Sequence, residues 1–294
     1  MSRAVGVTDL LASAPDWVVA VFALVTQLGD AWFLFGAFSL LYWLGPSRDL
    51  LDRPVGATLI GLGLAAVGLT VAAKFLFALP RPPGAGTAAV PPWLPAALGD
   101  LYVSAATGDG FGFPSGHALG STVAYGGLAL LADAWDRRRR LLAAGLVAVL
   151  VSLSRLVLGV HYLADVLAGM ALGVVVLWTA LRLTERGRRP GRLFAGAVVV
   201  AVVGVGFSLL HAERVEAMAV LGATVGGLLG WRYADGDLVG DRRVVPLPAA
   251  GVGLLVAGGL FAGSLAVEPP LPVVFAVNVA SVGLVLALPA VAGE

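Results

Sequence analysis

The chain has 294 residues, of which 59% are hydrophobic and 13% charged, and its formal net charge is +1. A mean hydropathy of +0.94, with apolar blocks that repeatedly reach the roughly 20 residues a bilayer demands, describes a polytopic membrane protein rather than a soluble domain. The near-neutral charge offers no global field for nucleic acid, and the absence of cysteine excludes disulfides, thiol catalysis and cysteine-type zinc sites.

Taken in chain order, the N-terminal segment carries one arginine and early acids, with no cleavage site after a short apolar core, so no removable signal peptide is expected. Nine candidate spans follow, at about 17–44, 55–79, 114–134, 141–160, 162–183, 193–210, 215–233, 244–267 and 271–291. Gln27, Gly29 and Asp30 interrupt the first, which fits either one tilted span or an interfacial helix followed by a short one. The expectation is an all-α helical bundle, 1–294, forming a single membrane-embedded domain. The helices within 192–294 suggest no role of their own.

The second span closes on Lys74, the only lysine in the chain, and Arg81-Pro82 follows seven positions later. A charge inside an apolar run is costly unless it has a task. The loops fix its side. Arg48 and Arg53, the arginines at 137–140, the five arginines between 182 and 192, and Arg232, Arg242 and Arg243 occupy alternate loops. The positive-inside rule makes those loops cytoplasmic. The N-terminus and the Lys74 end of the second span are then expected outside, and the C-terminus inside.

The third span opens on Phe113-Pro114-Ser115-Gly116-His117 at that same outer face. The fourth ends with Ser154-Arg155, and His161 and Asp165 open the fifth. Four separate helix ends thus bring one lysine, two arginines, two histidines and an aspartate to one depth. The strings Lys74-x6-Arg81-Pro82, Pro114-Ser115-Gly116-His117 and Ser154-Arg155-x5-His161-x3-Asp165 resemble the three-part signature of the type 2 phosphatidic acid phosphatase (PAP2) superfamily. That superfamily also holds vanadium haloperoxidases, polyprenyl-diphosphate phosphatases and glucose-6-phosphatases. The three parts match in order and without substitution across residues 74–165.

The resemblance implies a phosphatase. Phosphoryl transfer needs neutralised equatorial oxygens and an in-line nucleophile and leaving group. Lys74, Arg81 and Arg155 would supply the cations, the arginines as bidentate forks. Ser115 and Gly116 open a helix whose free amides and positive dipole suit a phosphate oxygen, and Gly116 permits close backbone approach. By the family pattern His161 is the nucleophile, forming a phosphohistidine. Asp165, one helical turn away, orients it. His117 would protonate the leaving oxygen and later activate water. No metal and no cofactor are required, since the cations take the metal's place.

The expected partners are the lipid bilayer and a phosphorylated lipid or polyprenyl (di)phosphate reached at the outer leaflet. A sugar phosphate is the competing substrate, because nine spans and an outside N-terminus are similar to the glucose-6-phosphatase arrangement. Phosphotransfer to an acceptor other than water, and a non-enzymatic anionic-lipid transporter or scramblase, are the remaining alternatives. Asp109 and Tyr102 are explained equally by substrate contact and by loop polarity, while Ser154 and His211 read as structural. The loop at 80–95, with Trp93, is long enough to lie over the site as a lid or lip. Gly169 and Gly173, and the series Gly222, Gly226 and Gly230, have the small-residue spacing of close helix contacts, serving either this fold or a homo-oligomer seam.

Overall fold

The computed structural model describes residues 3, 5–132, 136–211, 214–238, 244–267 and 269–293. Twelve α-helices and no strand occur among the described residues. They are α1 (Val7–Ala12), α2 (Asp16–Val25), α3 (Ala31–Leu44), α4 (Arg53–Phe77), α5 (Gly99–Ala106) and α6 (Gly116–Leu131). The chain continues through α7 (Arg137–Val157), α8 (Leu163–Leu183), α9 (Pro190–Ser208), α10 (Val215–Leu238), α11 (Leu247–Ala266) and α12 (Leu271–Ala292).

Each of the nine apolar blocks is helical, but the count of nine spans is not reproduced. Six helices (α4, α7, α8, α9, α11 and α12) are long and apolar enough to cross a bilayer alone, and the bent pair α2–α3 makes up to seven. Helix α6 has 16 residues, too few by the usual rise of 1.5 Å per residue to cross ~30 Å unaided. The glycines of α10, with Glu216 and Arg232, dilute its apolarity. The molecule is a multi-pass integral membrane protein.

Local chemistry explains where the helices begin. Helix α7 starts four residues before the apolar run does, because Asp136 caps it: the carboxylate accepts the Arg139 amide at 3.1 Å, so the arginine run forms its first turn. Pro54, Pro190, Leu247-Pro248 and Leu271-Pro272 place a proline in the first turn of α4, α9, α11 and α12, where its missing N–H is not needed. The first block is broken: α2 passes into a 3₁₀ turn, Thr26–Gly29, and α3 leaves at 45°.

Helix α4 is the hub, 72% of its most apolar window being buried, with α3, α6, α9 and α10 around it. Leu59, Ile60, Leu62, Leu119, Val123 and Phe194 form the fully buried centre between these helices. Tyr42 Oη and Trp43 Nε1 each donate at 2.8 Å, to the Leu286 and Val285 carbonyls, and bind α3 to α12. Without water to compete, such bonds to otherwise idle helix carbonyls specify the pairing of spans.

The glycine series serve internal packing. A Cβ at Gly222, Gly226 or Gly230 would lie 2.4, 2.3 or 2.6 Å from the Phe275, Val279 or Gly283 carbonyl oxygen, so α10 and α12 touch backbone to backbone. At Gly169 a Cβ would meet the Ser115 carbonyl at 2.5 Å. Because that oxygen cannot move without moving the Pro114-Ser115-Gly116-His117 segment, Gly169→Ala is expected to destabilise the protein by about 1–3 kcal/mol, typical of overpacking. Thermal unfolding in detergent, alongside activity, checks this; an unshifted midpoint would show that α6 and α8 adjust freely.

Candidate active site

Five elements deliver the candidate residues to one end of the bundle: the C-terminal turn of α4, the loop after it, the N-terminus of α6, the C-terminus of α7 and the N-terminus of α8. Lys74 is half-buried in the last turn of α4, and its charge acts on both His117 and His161. Arg81 follows in the loop. Its Nε donates to the Asp109 carbonyl at 2.9 Å and its Nη1 to the Val160 carbonyl at 3.0 Å. The loop that wraps it needs two glycines: a Cβ at Gly108 would lie 2.8 Å from Arg81 Nη1, and one at Gly112 would lie 3.0 Å from Arg81 Cγ.

Ser115 is the N-cap of α6, its hydroxyl accepting the Ala118 amide at 3.5 Å, and it is fully buried. Its own amide donates to the Asp165 carbonyl at 3.0 Å, which locks the start of α6 to the start of α8. Gly116 faces Thr70 of α4, where a Cβ would come within 3.0 Å of Cγ2. His117 follows one residue on, so its ring is carried on the first turn of the same helix.

His161 lies between α7 and α8 and is 2% exposed. Its Nε2 is 3.0 Å from Arg81 Nη1. A guanidinium only donates, so this Nε2 is the acceptor, and a neutral ring must carry its proton on Nδ1. That nitrogen is 3.5 Å from Asp165 Oδ2, near but without hydrogen-bond geometry. Asp165 is fully buried and is occupied elsewhere too: the Tyr162 amide donates to Oδ2 at 3.0 Å, and Arg3 Nη1 donates to Oδ1 at 2.5 Å.

Burial holds the His161 imidazole well below its ordinary value of 6.5, and the positive field of Arg81, Arg155 and Lys74 pushes the same way. The unfolded chain takes up this proton near 6.5, whereas the folded chain does so only at lower pH. The contribution to stability is therefore complete above pH 6.5 and lost as the pH falls from there towards the folded value. The thermal midpoint in detergent is expected to drop on acidification below pH 6.5, and to drop less in His161→Asn. Parallel curves for the two proteins would refute this.

Arg155 is 4% exposed on the last turn of α7, and its Nη1 donates to Thr26 Oγ1 at 2.6 Å. Among the described residues neither its Nε nor His117 Nε2 has a hydrogen-bond partner. Ser154 donates to the Val151 carbonyl of its own helix at 2.6 Å, a packing role. His211 Nε2 sits 2.9 Å from the Phe75 carbonyl, with its ring stacked on Phe75, also structural. Asp109 contributes its backbone oxygen to Arg81.

Sequence reasoning missed three contributors. Arg3 reaches Asp165 and the Pro80 carbonyl, and its guanidinium lies 5.0 Å over the Tyr162 ring. Thr8 of α1 donates to the His161 carbonyl at 3.1 Å. Thr26 and its neighbours in the broken first span abut Arg155 and His117. Among these neighbours Gln27, Gly29 and Asp30 left a signal, as interruptions of an apolar block.

Residues 56–189 match the PAP2 superfamily, a stretch that contains all three of the strings described above. Among curated proteins, phosphatidylglycerophosphatase B of Bacillus subtilis (strain 168) is 33% identical over 85 residues. Those residues make up 27% of this chain and 42% of that protein, so the similarity spans less than half of either. No solved structure matches the chain.

Proposed function

We propose that the protein is a membrane phosphatase that hydrolyses a lipid phosphate at the extracytoplasmic face through a phosphohistidine, without metal. The observation that carries this reading is a buried histidine with a carboxylate behind one nitrogen and an arginine on the other, inside a ring of cations. Anion binding alone would need the cations but no nucleophile.

In this mechanism an incoming phosphoryl group draws Arg81 Nη1 from His161 Nε2 onto its own oxygens. Arg155 and Lys74 neutralise the remaining charge, and the amide end of α6 at Ser115 and Gly116 takes a further oxygen. The freed Nε2 lone pair attacks phosphorus, the P–O ester bond breaks, and His117 gives its proton to the leaving oxygen. Asp165 holds the Nδ1 proton and stabilises the positive ring. His117 then takes a proton from water, the hydroxide attacks phosphorus, the P–N bond breaks, and inorganic phosphate leaves.

The lipid class is supported by two features. The segment between Arg81 and α6 presents Val90, Trp93, Leu98 and Leu101 exposed, side chains suited to the headgroup layer. The curated relative is named for a phosphatidylglycerol phosphate, which favours a glycerophospholipid monoester over a polyprenyl diphosphate. The arginine-rich alternate loops support the outer placement.

The test is phosphate release by the purified protein from phosphatidylglycerophosphate, phosphatidic acid, a polyprenyl diphosphate and a sugar phosphate. Preferential release from the lipid monoesters is the expected result. Preference for the sugar phosphate would overturn the lipid assignment, and no release from any of them would overturn the enzymatic one.

A further inference from the structure

We propose that Asp30, delivered by the break in the first span, is a positioning residue for His117, holding its ring and balancing its charge when it protonates the leaving oxygen. The inference rests on the reading of His117 as general acid. Four contacts place the break there. Gly29 packs so closely that a Cβ would lie 3.3 Å from His117 Cδ2 and 2.4 Å from Val151 Cγ1, so only glycine brings the turn this near. Thr26 Oγ1 accepts from Arg155 Nη1 at 2.6 Å, and the Leu28 carbonyl accepts from Tyr125 Oη at 2.7 Å, which ties the turn to α7 and α6. Asp30 then points Oδ2 at His117 Nε2 from 3.9 Å.

That nitrogen is buried and has no hydrogen-bond partner, and Asp30 is the one carboxylate within 4 Å of it among the described residues. Asp30 opens α3 as its N-cap residue, with its carboxylate at the Ala31 and Trp32 amides of the first turn, which hold the side chain in place while Oδ2 faces the His117 ring. The need is electrostatic. His117 works among Arg155 of α7, Lys74 of α4, Arg81 of the following loop and His161 before α8. A ring that must carry a proton among these cations requires a counter-charge, and Asp30 supplies the negative charge facing it. Movement of about 1 Å turns 3.9 Å into a hydrogen bond once the ring is protonated.

The experiment compares two substrates. A lipid phosphate leaves as a poorly stabilised alkoxide and needs the proton, whereas p-nitrophenyl phosphate leaves as a stable phenolate and does not. Asp30→Asn is expected to lower kcat on the lipid phosphate by about 10–100-fold, as for other residues that orient a catalytic imidazole. In the single-turnover burst of p-nitrophenolate, which reads attack by His161 and not the later hydrolysis, the change stays under about 3-fold, and the alkaline limb of the lipid pH profile moves to lower pH. In a His117→Ala background Asp30→Asn should have no further effect on the lipid substrate.

Should the asparagine variant fail to fold, Asp30→Glu carries the test. It keeps the charge, so most lipid turnover and an alkaline limb near that of the parent are expected. Equal losses on both substrates, an unmoved limb, or additivity with His117→Ala would overturn the role of Asp30 while leaving the phosphatase reading intact. If His117→Ala itself spares lipid turnover, or the parent protein releases no phosphate, the catalytic reading fails and the role of Asp30 with it.

Discussion

His161→Ala is expected to lower phosphate release by at least about 10⁴-fold while phosphate and vanadate still bind. The side chain removed is the nucleophile of the proposed mechanism, the imidazole whose Nε2 faces Arg81 Nη1 at 3.0 Å. The anion, by contrast, is held by Arg81, Arg155 and Lys74. Arg81 keeps its bonds to the Asp109 and Val160 carbonyls in the variant, so the cradle stays assembled. Single-turnover assays and competition by vanadate measure the two properties separately. A variant that still turns over within about 10-fold of the parent would remove the phosphohistidine from the mechanism, and one that loses vanadate as well would point to collapse of the site.

The second large effect is expected at Arg81. Arg81→Lys should lower kcat by about 10²–10³-fold, the usual consequence of losing one preorganised donor to a developing negative charge. The residue has three simultaneous tasks: its Nε holds the Asp109 carbonyl, and its Nη1 reaches both the Val160 carbonyl and His161 Nε2. An ammonium is a single point and cannot span that fork. Gly108 is fitted to the planar guanidinium at contact distance, so a lysine also leaves space there, whereas Gly112 admits the stem that both side chains share. Thermal unfolding distinguishes a catalytic loss from a folding one: an unchanged midpoint with kcat reduced supports the role, and full activity in the lysine variant removes it.

Much of the site was legible because its residue types are expensive in lipid. Lys74, Arg155, His161 and Asp165 interrupt or border apolar runs, and their order alone led to one family. The fold class followed from apolar block length. Span number was less legible, since α6 is short at 16 residues and α10 is rich in glycine, both depending on neighbours for their burial. The start of α7 was missed because Asp136 makes a helical turn of four arginines, three of them exposed, that hydropathy assigns to a loop.

What the sequence determined by itself is the chemistry: which side chains are available, their spacing along each helix, and that a bilayer surrounds them. A four-residue spacing let His161 and Asp165 be paired in advance, although His161 stands just before α8 and not on it. Tertiary structure decided how that chemistry is shared. It brought Arg3 onto Asp165 across 162 positions and Thr26 onto Arg155 across 129. It also set Asp30 against His117 through a glycine that lets a broken helix come within van der Waals contact of the ring. These contacts depend on which helices pack together and how closely their backbones approach. Backbone-to-backbone glycine contacts and carbonyl-bound aromatic side chains fix that packing: the four-residue glycine spacing was visible in the chain, but which helix it faces was not.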